Sequence, residues 1–248
     1  MIYKNYLYNK SVELLFDEFK HAYFYEGKKI PSVTTILGII NKPALISWAA
    51  NMAAESFKEA VQAGVIYDEL QLQEIYNNLR TAHRKKKTDA ADIGSFTHKW
   101  VEDWIKGKKP EPPVNENLRE STERFLKWQK EHSVKFLSSE QVIYSKKYGY
   151  TGTLDFICRY EDKLILGDLK TSNGVWPEMW LQTAAYRQAR EEEFPKEKYA
   201  GQAIIRIGKD GTFDFQEEEK DFDKHIAAFL AAKSLYETIK EMEDNAKR

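Results

Sequence analysis

Residues 152–173, GTLDFICRYEDKLILGDLKTSN, constrain this chain more than any other stretch, because two strand-like apolar runs each carry a carboxylate, Asp155 in the first and Asp168 in the second. An ionised carboxylate in an apolar strand is costly unless it is paired or bound to a metal. In LILGDLKTS the period-two alternation of a strand puts Asp168 and Lys170 on one face. A tight turn at Glu161-Asp162 would fold the two runs into a hairpin, setting 155 or 156 roughly opposite 167 or 168. The acids then converge. Carboxylates held close together repel and raise a pKa unless a divalent cation lies between them, and oxygen ligands suit magnesium or manganese. The competing reading of the same residues is an internal salt bridge from Asp155 to Lys170 or to an arginine.

A chain of 248 residues, 42% hydrophobic and 13% aromatic, can bury a substantial core. Its one cysteine, Cys158, excludes a disulfide framework and a four-cysteine zinc or iron–sulfur site within the chain. With a mean hydropathy of −0.64 and no long apolar run near its start, it reads as a soluble cytoplasmic protein that does not engage a membrane. A net charge of −1 argues against coating nucleic acid by bulk charge. The run RTAHRKKK, 80–87, is nevertheless locally basic, and reads either as a solvated helix end or as a phosphate contact.

Along the chain, HAYFYEGKKIPS suggests a hairpin turning at Glu26-Gly27. Helical patterns follow over 43–64, through Leu72, Ile75, Tyr76 and Leu79, from an N-cap at Thr88 to Ile105, and over about 116–132. From Val134 the pattern becomes a three-stranded meander, then a helix at about 176–193, a hairpin turning at GKDG, and a closing amphipathic helix. This order predicts a single mixed α/β domain, with a mainly helical portion over about 1–133 and an α/β core over about 134–248.

A carboxylate, any residue, then lysine is a weak signal: Glu18-Phe-Lys20, Glu26-Gly-Lys28, Glu161-Asp-Lys163 and Glu218-Glu-Lys220 fit it as well as Asp168-Leu-Lys170 does. Only the last ends a strongly apolar strand. With Gly-Thr-Leu-Asp at 152–155 before it, Gln-Thr-Ala-Ala-Tyr at 182–186 after it, and His98 on a predicted helix upstream, the set resembles the PD-(D/E)XK nuclease superfamily, in its RecB-like exonuclease branch. PSVTTILG with KPALISWAA adds a softer likeness to phage-encoded, stand-alone members.

The resemblance implies a restriction-endonuclease-like core, with a central mixed sheet flanked by helices, and a metal-dependent deoxyribonuclease, an exonuclease more than an endonuclease. It implies magnesium or manganese held by His98, Asp155, Asp168 and the backbone carbonyl of Leu169, with Asp155, Asp168 and Lys170 catalytic. Gln182 and Tyr186 would meet the substrate. Glu102, one turn beyond His98, and Glu140, at the head of the meander, read as groups supporting the site from behind, as ligands of a second metal, or as solvated acids. DNA is the implied partner, in replication, recombination or repair, with a recombination or replication protein as a further one. An iron–sulfur cluster is not expected. The rivals are a structure-selective endonuclease on the same site, a DNA-binding protein of this fold that does not cleave, and an α/β interaction module whose acids are salt-bridged.

Overall fold

The computed structural model describes residues 1–40 and 42–247, with Lys85 described by its backbone alone. The described chain forms two compact units, one of residues 1–40 with 97–248 and one of residues 41–96. The sequence pattern suggested one domain with a mainly helical beginning. The first thirty residues are instead strands β1 (Ile2–Leu7), β2 (Val12–Asp17), β3 (Ala22–Tyr25) and β4 (Lys28–Ile30), an antiparallel sheet in chain order. The β1–β2 turn escapes sequence reading because Tyr8, Asn9 and Lys10 all take left-handed φ values, of 50°, 53° and 69°, with no glycine to mark it. The β3–β4 turn is the expected one, with φ of 48° at Glu26 and 76° at Gly27.

Helix α1 (Val33–Leu37) follows, its N-cap Ser32 accepting a hydrogen bond from the Thr35 N–H at 3.1 Å. In the 41–96 unit, α2 (Pro43–Ala60) opens on proline and buries no residue, and α3 (Glu69–Ile105) begins here and ends in the larger unit. The separate helix expected from Thr88 is absent: Thr88 lies inside α3, its hydroxyl donating back to the Arg84 carbonyl at 3.1 Å. The basic run 80–87 is therefore helix interior rather than a helix end.

The larger unit continues with α4 (Glu116–Glu131), then β5 (Lys135–Ser145), β6 (Tyr150–Tyr160), β7 (Lys163–Lys170), α5 (Pro177–Glu193), β8 (Gly201–Ile207), β9 (Phe213–Glu218) and α6 (Phe222–Ala246). The five strands form one mixed sheet in chain order, antiparallel except where α5 connects β7 to a parallel β8. The fold is α/β, a mixed five-stranded sheet with flanking helices. On one face, Ile157 and Leu166 pack with Ala184, Ala185 and Phe229 of α5 and α6 and with Ile36 of α1. On the other, Phe125 and Trp128 of α4 sit among Phe136, Phe156, Phe213 and Phe215, with ring centroids 4.6–6.2 Å apart. Among the described residues no helix is long and apolar enough to cross a membrane.

Candidate active site

Register assembles the acids. The β6–β7 turn has φ of 46° at Glu161 and 63° at Asp162, and pairs Phe156 with Gly167, so Asp155 falls beside Asp168 one position on. Between β5 and β6, Ser139 pairs with Phe156 and Gln141 with Leu154, which leaves Glu140 facing Asp155. Glu140 takes a left-handed φ of 51°, and neither it nor Asp155 has a ladder partner there. Three adjacent strands thus each deliver one carboxylate to the same level of the sheet. His98 arrives from α3, its Nδ1 3.6 Å from Asp155 Oδ2.

Two glycines make room for this arrangement. A Cβ on Gly167 would lie 2.1 Å from Cζ of Phe156, whose ring covers the strand. A Cβ on Gly152 would lie 2.8 Å from Cε1 of Tyr186. The glycine of Gly-Thr-Leu-Asp therefore serves the tyrosine of Gln-Thr-Ala-Ala-Tyr: one lets the other's ring lie on β6.

The amide of Gln182 links the rest. Its Nε2 donates to Asp168 Oδ1 and to the Tyr186 hydroxyl, both at 2.8 Å, and its Oε1 accepts from Lys170 Nζ at 3.0 Å. These contacts use both faces of the amide and fix its orientation. Lys170 also pairs with Asp168 Oδ2, and the Leu169 N–H donates to Asp155 Oδ2 at 2.6 Å. The Leu169 backbone thus touches Asp155 through its N–H.

Electrostatics follow from the crowding. Burial pushes the Asp168 carboxyl up, helped by repulsion from Asp155 and only partly offset by Lys170. Burial also favours a neutral Asp155, but His98, Lys170 and the Leu169 N–H outweigh it and hold Asp155 below the usual range. Glu140 is solvent-accessible as a residue, yet desolvation of its carboxyl, then the Asp155 charge, pushes it up to about 7. Burial works against charge on Lys170 and His98 as well, and in both the surrounding carboxylates win, so both are raised. Lys170 is an ammonium here, suited to stabilising negative charge rather than to removing a proton.

The donor set fits a divalent cation. One ligand atom from each of His98, Glu140 and Asp155 lies within 4.8 Å of the other two, a nitrogen and two carboxylate oxygens. Sequence reasoning left Glu140 between a supporting group, a second metal's ligand and a solvated acid; its left-handed backbone, which aims it at Asp155, has no signature in the sequence. Asp168, expected as a ligand, lies outside this group, its oxygens turned toward Gln182 and Lys170. Glu102 is taken up by Lys99, at 3.0 Å, and by Lys106, which together lower its pKa. Trp180 stacks on His225 with centroids 6.4 Å apart, whereas Trp176 is half exposed.

No family model matches the chain, and no curated protein matches it. A solved structure titled "Crystal structure of SSO0001" is similar at 14% identity, over 77% of this chain and 86% of that one, with a TM-score of 0.33.

Proposed function

We propose that this chain is a divalent-metal-dependent deoxyribonuclease of the RecB-like PD-(D/E)XK type, and an exonuclease by preference. One observation carries the reading: residues 28 or more positions apart, His98, Glu140 and Asp168 with Lys170, meet around Asp155, where packing alone would exclude charge. A salt-bridged interaction module needs Lys170 and Asp168, but it has no use for Glu140 opposite Asp155 or for a histidine beside them.

In this reading His98, Glu140 and Asp155 would hold magnesium or manganese, with Asp168 adjoining. When bound, the ion would supply positive charge to a phosphate and lower the pKa of a water. Lys170 faces the phosphate as an ammonium and stabilises the charge that builds on its oxygens in the transition state. Water attacks phosphorus and gives up a proton to solvent, the bond to the leaving oxygen breaks, and that oxygen takes up a proton from solvent as it leaves. Gln182 holds Lys170 and Asp168 in place, and Tyr186 holds Gln182. The nitrogen ligand favours manganese over magnesium.

The test is cleavage of end-labelled linear and closed-circular DNA, single- and double-stranded, in manganese, magnesium or EDTA, beside Lys170→Ala. Metal-dependent cleavage lost in the variant supports the nuclease, and sparing of circles makes it an exonuclease. If wild type and variant are equally inert on every substrate yet bind DNA, the catalytic reading is wrong and the non-cleaving one replaces it.

A further inference from the structure

Helix α3 carries cations that the candidate site does not use. As sequence, the run 80–87 reads either as a solvated helix end favoured by the dipole or as a phosphate contact, and the structure removes the first reading. The helix continues to Ile105, whereas the dipole acts only within the last turn. At about 100° per residue, Arg80, His83, Arg84 and Lys87 share one face. Arg80, Arg84 and Lys87 are all exposed. Asn78, Thr81 and Ala82, on the other side of the helix, line a cleft with Glu55 and Glu59 of α2.

No carboxylate answers this stripe. None of the positions three or four residues from Arg80, Arg84 or Lys87 holds an acid, and Glu74, Asp89 and Asp92 fall about 120–180° round the helix from Arg80. Among the described residues none of the three cations forms an ion pair. Arg80 lies over the Tyr76 ring, 5.4 Å from its centroid, which orders the guanidinium without neutralising it. The later turns of α3 and α4 differ: Lys99 pairs with Glu102 and Asp103 at 3.0 Å, Arg119 with Glu116, Arg124 with Glu120 and Lys127 with Glu131. Like charges one turn apart destabilise a helix, so the unanswered stripe gains from an anion supplied from outside.

We propose that Arg80, Arg84 and Lys87 grip the sugar–phosphate backbone of DNA, an inference that rests on the nuclease reading for the identity of the strand. The stripe advances about 10 Å along the helix axis and so matches a line of charge, and each DNA strand presents a phosphate about every 3.4 Å. A membrane surface would also need apolar side chains beside the cations to enter the bilayer, and the four stripe positions hold none. Backbone contacts of this kind carry no sequence information, which suits an enzyme that degrades any strand.

Fluorescence anisotropy of a labelled mixed-sequence duplex with the full chain in EDTA, over a range of potassium chloride, reads binding without hydrolysis. Arg80→Gln/Arg84→Gln/Lys87→Gln is expected to bind at least about tenfold more weakly in about 100 mM salt, and to lower the slope of log K against log salt by about 2.7, or about 0.9 for each phosphate contact. Arg119→Gln/Arg124→Gln/Lys127→Gln removes the same charge from paired positions on α4 and is expected to stay within twofold of wild type. Glutamine is close to lysine and arginine as a helix former, and Lys87→Gln alone, with an expected slope change of about 0.9, serves should the triple variant not fold. The stripe is disproved if wild type does not bind the duplex, if the slope is unchanged in the α3 variant, if both triple variants weaken binding equally, or if anionic vesicles or polyglutamate hold wild type as tightly as DNA does. An unchanged slope alongside cleavage that needs metal and Lys170 removes the stripe and keeps the nuclease. A lowered slope in the variant of a protein that never cleaves does the reverse.

Discussion

At the residue scale, the site depends on single atoms that have no substitute nearby. Glu140→Gln keeps the shape of the side chain and removes one charged oxygen from the donor group. Manganese is therefore expected to raise the melting temperature of wild type but much less that of the variant, and cleavage in manganese is expected to fall at least tenfold. Differential scanning fluorimetry with and without manganese checks the first, and initial rates check the second. Gly152→Ala probes a contact instead of a charge. The added methyl would sit 2.8 Å from the Tyr186 ring, so the ring or β6 must move, at a cost of about 1–3 kcal/mol in chemical denaturation. Displacing Tyr186 also loosens Gln182, so this variant is expected to lose activity beyond what its stability loss explains.

At the scale of elements, β6 serves two cores at once, turning Ile157 toward α5 and Phe156 toward α4. The α4 side is held by Phe125, fully buried among the rings of Phe136 and Phe213 and beside Trp128. Phe125→Ala is expected to destabilise the chain by about 3–5 kcal/mol, seen as a lower denaturant midpoint with an unchanged slope. The elements also show what could be read in advance. The β6–β7 hairpin was legible because its two-residue turn fixes a register that any alternating pattern must obey, and with it Asp155 and Asp168. Helix α5, expected over about 176–193, was legible and placed Gln182 and Tyr186, four apart, on one face. The β1–β2 hairpin was not, since its turn uses Tyr8, Asn9 and Lys10 where a reader looks for glycine. Thr88 was misleading because the same hydroxyl that can cap a helix can bond back within one.

For the whole molecule, the cluster links stability to pH and metal. Asp168 and Glu140 have folded pKa values raised above their unfolded ones, from 3.8 and 4.5, and His98 is raised from 6.5. The folded chain therefore binds more protons than the unfolded one, so these groups favour folding at low pH and lose that effect as pH rises through about 7. Glu140 is accessible, so solvent screening makes its contribution smaller than its shift alone implies. Asp155, lowered, acts oppositely, but only as pH falls below about 4. In EDTA the melting temperature is expected to be lower at pH 8 than at pH 5.5, and manganese is expected to recover it at pH 8. A metal concentration a hundredfold above its Kd would stabilise by about 2.7 kcal/mol. An EDTA melting temperature that rises from pH 5.5 to pH 8 would contradict this charge balance.

What the sequence determined by itself was local: apolar alternation broken by two acids, a turn that pairs their strands, and one helix face bearing Gln182 and Tyr186. These follow from periodicity and short-range sterics, which act within a few residues. What only the tertiary structure decided was everything that needs distant segments to meet. It set Glu140 against Asp155 through a left-handed residue on β5, brought His98 in from α3, made β8 parallel to β7, and joined Tyr23 of the N-terminal sheet to Thr153. Packing of distant elements depends on the shapes of whole faces, and no window of sequence contains two faces at once.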